Sequence, residues 1–397
     1  MKQYKFPVVS TISNFGVDMW LYDIVWCRSH GNDVKEAKTG LEVAFSDMYE
    51  FFTNVLHIDV PIATDASYVL NDDGELVEEM VFTVPDTECE MARNNGFISA
   101  LNNFRLKVGV YEGKSISNNK FCSQICRPSD MSKFIKWLKL IEPKYLDNSL
   151  KFQHRKWWEF CFITQVLHER GLLGEGKRGL GFAVGREPLP ALFAALGTTI
   201  VATDIDISTQ TAKHWYDTGK NAGNNVDSLY YPNICDEERF LKNVSFRSAD
   251  MNCISGDLNN FDFCWSSCAF EHLGSIGHGE QFLYNMIRTL KPGGVAVHTT
   301  EINITSNGRT VERGGSVIFR KCDFERFAEN LENMGCEVEP LDFRLDGTVT
   351  DEIIDFPPYD NCQNGWPLAE YNQMPHFKLI IGGYVSTSFG IIIKKNV

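Results

Sequence analysis

KRGLGFAVGREPLPALFAALGTTIVATDID, residues Lys177–Asp206, is the stretch on which the reading of the fold turns. Arg178 to Phe182 is a short apolar run entering a turn marked by Gly179, Gly181 and Gly185. Pro188 suits a first helical position, where its missing N–H and fixed φ cost nothing. Leu189, Leu192, Phe193 and Leu196 recur at helical spacing, and Gly197 closes the helix. Thr199 to Thr203 is a β-branched run suited to a buried parallel strand. Asp204 follows about 20 residues after the turn, where an acid reaches ribose hydroxyls in nucleotide-binding βαβ units. Side chains at such a turn must be small for a ligand to approach the backbone, and the helix N-terminus offers free N–H groups. The stretch therefore predicts a βαβ unit that binds a nucleotide-type ligand.

Around this unit lie 397 residues, room for more than one domain. With 43% hydrophobic and 23% charged residues the composition is that of an ordinary globular protein. A net charge of -14 argues against nucleic acid as the main partner, because phosphate binding needs a basic face. The N-terminal residues lack the apolar core of a secretory signal, and no run approaches the roughly 18 apolar residues of a membrane span. The 12 cysteines are scattered, and the pairs Cys122/Cys126 and Cys264/Cys268 lack further ligands at metal-site spacing. Reduced cysteines, no metal and a cytoplasmic location are the expectation.

Residues 1–148 read as an α+β accessory domain. Strands are expected at Phe6–Ile12, Asp59–Ala63, Tyr68–Asn71, Val77–Val84 and Phe104–Tyr111, with a hairpin turn at Asn71–Gly74. Helices are expected at Glu36–Leu56 and Met131–Ile141, the second capped by Asp130. Asp18, Asp23 and Asp65 read as solvated or capping acids. A proline-containing connector, Glu142–Asn148, marks the boundary, and residues 149–397 form the second domain. There a long helix over Phe152–Leu173, with Trp157 and Trp158 in the core, precedes the opening unit. Strands at Val244–Arg247, Phe261–Ser266, Val295–Thr299 and Cys336–Phe343 alternate with helices at Glu280–Leu290 and Cys322–Met334. Phe377–Ile381 and Val385–Ile393 close the chain as a hairpin around Gly382–Gly383. This order predicts an α/β, doubly wound, mostly parallel sheet with a late antiparallel strand.

The order and four motifs resemble the class I S-adenosylmethionine-dependent methyltransferases. The motifs are GLGFAVG with ATD, SADM, FDFCWSSCAFEHLG and LKPGGVAVHTT. GREPLPALFAALG and HFKLIIGGYVSTSFG are similar to phrases in bacterial methyltransferase-like proteins of surface-glycan loci. The resemblance covers about Phe152 to Val397 and implies a Rossmann-like seven-stranded sheet with S-adenosylmethionine as cofactor. It implies that Gly179, Gly181 and Gly185 shape the cofactor turn and that Asp204 accepts from both ribose hydroxyls. Asp250 and Met251 would meet the adenine, and Ser266 and Ser267 the methionine end. The sequence departs from the family where Gly179 replaces an acid and Ala183 a glycine; Glu187 is expected to replace the missing acid.

Methyl transfer from a sulfonium mainly needs alignment and exclusion of water, and an alcohol acceptor also gains from a general base. His272, with Glu271 beside it, and Glu301 are the candidate bases, because ligands bind beyond the C-terminal strand ends. His298 reads as a hydrogen-bonded core residue. The expected activity is O-methylation of a sugar or glycan acceptor. The alternatives are a nicotinamide-dependent oxidoreductase, whose G-x-G-x-x-G the glycine spacing here does not match, and a non-catalytic binding module.

Overall fold

The computed structural model describes residues 2–13, 16–21, 27–50, 76–84, 120–142, 153–209, 225–348, 350–355, 375–381 and 384–396. The strands expected at Asp59–Ala63, Tyr68–Asn71 and Phe104–Tyr111, the turn at Asn71–Gly74, and Asp23 and Asp65 lie outside these residues. So do the Asp18 side chain, Gly382–Gly383 and all of the Glu142–Asn148 connector beyond Glu142.

The N-terminal part is an antiparallel sheet in the order β3-β2-β1-β4, made of β1 (Lys2–Ser13), β2 (Gly16–Leu21), β3 (Arg28–Gly31) and β4 (Leu76–Val84). Period-2 alternation buries Phe6, Val8, Val17, Met19, Phe82 and Val84 on one face. Helix α1 (Val34–Glu50) adds Leu41, Phe45 and Tyr49 to the same core.

The second body starts earlier than the sequence suggests. β5 (Ser123–Ile125), expected within the accessory domain, is hydrogen-bonded into the main sheet beside the last strand. Helix α2 (Ile135–Ile141) shares a core with the helices that follow, through Phe134, Trp137 and Leu138. Asp130 does not cap this helix. It is buried and accepts from Gln124 at 2.7 Å and from the Trp158 indole at 3.3 Å. The residue boundary at 148 therefore divides a packed unit.

The elements that build the site follow in chain order: α3 (Arg155–Glu169), β6 (Arg178–Gly181), α4 (Leu189–Ala195), β7 (Thr199–Asp204), α5 (Glu237–Asn243), β8 (Val244–Ser248), β9 (Phe261–Ser267), β10 (Gly274–Ser275), α6 (Ile276–Met286) and β11 (Leu290–Asn303). After them come β12 (Arg313–Gly314), α7 (Lys321–Asn333), β13 (Cys336–Val338), β14 (Leu341–Asp342), β15 (Ile354–Asp355), β16 (Lys378–Ile381) and β17 (Tyr384–Lys395). The main sheet runs β14-β5-β17-β11-β9-β6-β7-β8, with β13 and β16 also on β17. β8, β7, β6, β9 and β11 are mutually parallel, and β17 is antiparallel to β11. The expected doubly wound α/β architecture with a late antiparallel strand is present. The sheet has eleven strands among the described residues rather than seven, because β5, β14, β15 and β16 extend it. Strands β9 and β17 are buried almost throughout, as a sheet covered on both faces requires. The chain winds outward from β6 to β7 and β8, then returns to β9 on the other side. That reversal makes the C-terminal ends of β6 and β9 the topological switch point of the sheet.

Candidate functional site

Two sets of residues lie at the C-terminal ends of the parallel strands. The first is the turn after β6. Thr203 Oγ1 donates to the Gly181 carbonyl at 2.7 Å, and the Val184 N–H donates to the Thr203 carbonyl at 3.0 Å. Asp204, buried at the end of β7, accepts the Gly185 N–H at 3.1 Å and the Ile205 N–H at 2.8 Å. The Asp204 carbonyl accepts the Ala249 N–H at 2.8 Å, which brings the chain before Asp250 to the same place. Asp250 is exposed, while Met251 is buried under it in the core. The turn uses left-handed backbone at Gly185 (φ 54) and at Ala183 (φ 46). The family glycine replaced by Ala183 is thus kept as a conformation, though not as a residue.

Gly179 and Gly181 also meet a packing demand. A Cβ on Gly179 would lie 2.3 Å from Phe263 Cζ, and one on Gly181 would lie 2.5 Å from Trp265 Cζ2. Both glycines make room for aromatic rings of the neighbouring strand, and Gly179 lies inside β6, short of the turn. Ser266 lies in the core beside His298. Its hydroxyl is 2.8 Å from His298 Nδ1, and both residues are fully buried. His298 is the hydrogen-bonded core residue expected, held down to about 3 by burial and so neutral. Its ring packs edge-on to Phe270 and Phe282.

Glu187 is buried behind the turn and accepts the Trp265 indole N–H at 2.6 Å. Burial raises its carboxyl to about 8, and the charges of Glu159 and Asp204 push in the same direction. It therefore carries a proton through much of the neutral range.

The second set lies at the ends of β9, β11 and β17 and centres on Glu159 of α3. This fully buried carboxylate is 3.1 Å from Arg155 Nη1 and 3.0 Å from Lys156 Nζ. It also accepts from Ser267 Oγ at 2.9 Å, Cys268 Sγ at 3.0 Å and Ser388 Oγ at 2.5 Å. Burial opposes its charge, but Lys156, Arg155 and the hydroxyl and thiol donors outweigh burial and hold it at about 2. Cys268 is pushed far up by burial and by Glu159, so it remains a thiol.

Arg155 also binds Glu301 through Nη2 at 2.6 Å, which brings α3 to the end of β11. Glu271, fully buried in the turn after β9, accepts from Thr300 Oγ1 at 2.8 Å. Burial, with Glu301 beside it, raises its carboxyl to about 8. His272 is only partly buried. Its Nδ1 is 2.8 Å from the Gly315 carbonyl, and its Nε2 is 3.9 Å from Glu271 Oε1. A carbonyl can only accept, so Nδ1 carries hydrogen and the neutral ring presents a basic Nε2.

The fold thus gathers Gly185, Asp204, Asp250 and Glu187 on one side and His272, Glu271 and Glu301 on the other. Arg155, Lys156, Glu159, Cys268 and Ser388 were not singled out from the sequence. One signal was available: Glu159 interrupts the apolar run Trp157–Ile163, with Arg155 and Lys156 one turn before it. Among the described residues the cysteines are free, and no cluster of three metal-ligating side chains occurs. No described helix is long and apolar enough to cross a membrane.

Residues 180–298 match the family model of a methyltransferase domain. With the parallel-rich sheet, this supports a class I methyltransferase domain whose cofactor is S-adenosylmethionine. The turn residues fit that group: Asp204 presents a buried carboxylate beside Gly185, placed to accept ribose hydroxyls. Solved structures similar to this chain include the [4+2]-cyclase SpnF, at 19% identity over 55% of this chain and 77% of that one, with a TM-score of 0.34. Another is the methyltransferase domain of bacterial CtHen1-C, at 15% identity over 62% and 100%, with a TM-score of 0.36. A third is the Haemonchus contortus phosphoethanolamine N-methyltransferase 2 bound to S-adenosyl-L-methionine, at 17% identity over 52% and 45%, with a TM-score of 0.30. No curated protein matches the sequence.

Proposed function

We propose that this chain O-methylates a sugar or glycan-related acceptor, using S-adenosylmethionine, in the cytoplasm and without nucleic acid as a partner. The supporting observation is the closed turn at the sheet's switch point. There the Gly185 N–H meets the Asp204 carboxylate at 3.1 Å, within the residues that match a methyltransferase domain. Bound there, S-adenosylmethionine supplies an activated methyl group. Asp204, Asp250 and Met251 would hold its nucleoside part, and Gly181 and Gly185 would let the turn approach its methionine part.

His272 acts on the acceptor. Its Nδ1–H is fixed on the Gly315 carbonyl, so Nε2 takes the proton that the acceptor hydroxyl loses as its oxygen gains the methyl group. An oxygen acceptor is the choice because a poised base benefits an alcohol more than an amine. The glycan reading is further supported by the phrases GREPLPALFAALG and HFKLIIGGYVSTSFG. The N-terminal sheet and α1 form an accessory domain to this body.

Calorimetric titration with S-adenosylmethionine, S-adenosylhomocysteine and NAD tests the reading. The first two should bind and NAD should not, and Asp204→Ala should weaken both by at least about tenfold, the loss of one good charged contact. Binding of NAD alone would overturn it.

A further inference from the structure

A cavity of about 530 Å³ lies where the N-terminal sheet meets the second body. Small-molecule sites usually fall between about 300 and 1,000 Å³. His30 and Asn32, in and just after β3, form one wall. The β10–β12 strand pair, the start of α6 and the start of α7 form the others.

None of the cofactor residues lines this cavity, yet it adjoins His272. Gly274 pairs with Gly314 and Ser275 with Arg313, and the His272 ring is held on the Gly315 carbonyl at 2.8 Å. Gly274 lines the cavity two positions after His272, and Arg313 lines it two positions before Gly315. Each step is at most about 7 Å of backbone.

Hydrogen-bonding capacity limits what the cavity can hold. Its buried acid, Asp323, is fully engaged. It accepts from the Arg320 backbone N–H at 2.9 Å and Nε at 2.8 Å, and pairs with Arg326 Nη1 at 3.0 Å. Glu312 pairs with Arg320 Nη1 at 2.9 Å, and Arg326 also pairs with Glu280. The exposed Arg313 guanidinium, by contrast, has no ion pair or hydrogen bond among the described residues. Its charge reaches Glu36 of α1, but that carboxylate takes its hydrogen bonds from Asn32 instead. The exposed His278 imidazole stands over the same strand pair, its Nδ1 3.5 Å from where a Cβ on Gly274 would sit.

The acids of the cavity are thus answered, and the main groups with capacity to spare are the Arg313 fork and the His278 imidazole. A cation finds no open acid partner there, whereas an oxyanion meets a complete guanidinium. The donors stand on separate walls, Arg313 on β12 and His278 on α6, with Arg320 and Arg326 of α7 on a third. Phosphate oxygens diverge tetrahedrally and can be reached from several walls, while the two oxygens of a carboxylate share one plane. A phosphate fills only part of the space and leaves room for the body that carries it.

We propose that this cavity is the acceptor site and that it takes a phosphorylated sugar, with the phosphate on Arg313 and His278. The inference rests on the methyl-transfer reading for the use of the site, though not for the binding itself. It narrows the acceptor to one that carries a phosphate. It also gives the accessory domain a part in recognition, because β3 supplies a wall.

Ligand-observed NMR on the full chain tests it with glucose 1-phosphate, glucose 6-phosphate, glucose and glucuronate, while calorimetry measures S-adenosylhomocysteine binding. At least one hexose phosphate should bind, at least tenfold more tightly than glucose, and inorganic phosphate should displace it. Arg313→Ala should weaken that binding about tenfold or more, the loss of one charged contact, and Arg313→Lys should weaken it less. S-adenosylhomocysteine affinity should stay within twofold in both variants, which also shows that they fold. The comparison of phosphorylated with free sugar needs only the native protein. Binding of glucose or glucuronate as tightly as the hexose phosphates overturns the proposal. So does unchanged hexose phosphate affinity in Arg313→Ala, or binding of neither hexose phosphate by protein that binds S-adenosylhomocysteine. If S-adenosylhomocysteine does not bind, the methyl-transfer reading falls, and the phosphate arm still decides what the cavity holds.

Discussion

Replacing Glu159 by glutamine removes one charge and almost no volume from the centre of the ionic network. Glu159 holds two cations and three side-chain donors in a fully buried position. Its carboxyl is held at about 2 against an ordinary 4.5, which corresponds to roughly 3 kcal/mol of stability at neutral pH. Glutamine cannot neutralise Arg155 and Lys156, and breaking a buried pair from one side typically costs about 3–5 kcal/mol. Both routes give a loss of about 3–4 kcal/mol, a large share of a typical domain's stability. The sign of the pH dependence follows from the depressed value. The contribution is complete above about 4.5 and disappears as pH falls from there towards 2. Urea unfolding of native protein and Glu159→Gln at several pH values should show a gap of about 3 kcal/mol at pH 7 that closes below pH 3. A gap under 1 kcal/mol at pH 7, or one that does not change with pH, would refute the reasoning.

Two other perturbations read different parts of the structure. Gly179→Ala places a methyl group 2.3 Å from the Phe263 ring, so it should lose about 2 kcal/mol of stability by overpacking. If the glycine serves packing alone, S-adenosylhomocysteine affinity in the folded protein will not move, and a tenfold loss would restore the cofactor role. Glu187→Gln keeps an oxygen for the Trp265 indole but cannot ionise. The native carboxyl, raised to about 8, costs stability as pH rises from about 4.5 through that value, because the folded state holds the proton more tightly than the unfolded chain. Thermal melts should therefore coincide near pH 5, with the variant more stable by about 2 kcal/mol or more at pH 9. Equal melting temperatures across that range would contradict a raised carboxyl.

The periodicity of residues Lys177–Asp206 and the strand–helix alternation beyond them determined the α/β winding, the turn at Gly185 and the place of Asp204. These are properties of neighbours in sequence: a β-branched run, a helical repeat and a glycine express their preferences within a few residues. His298 as a core residue was legible for the same reason, since it lies within an apolar strand. What sequence could not supply was pairing across long separations. β5 joins a strand more than 250 residues later, which moved the boundary of the second body. The rings of Phe263 and Trp265, on a neighbouring strand, explain Gly179 and Gly181. Ser266 and Ser267 differ by one residue, and the pleat sends the first to buried His298 and the second to Glu159. Arg155 and Glu159 read in sequence as ordinary charges on one helix, and Glu271 and Glu301 as candidates at separate strand ends. Only tertiary packing brings them together, through the Arg155 ion pairs with Glu159 and Glu301 and the Thr300 hydrogen bond to Glu271.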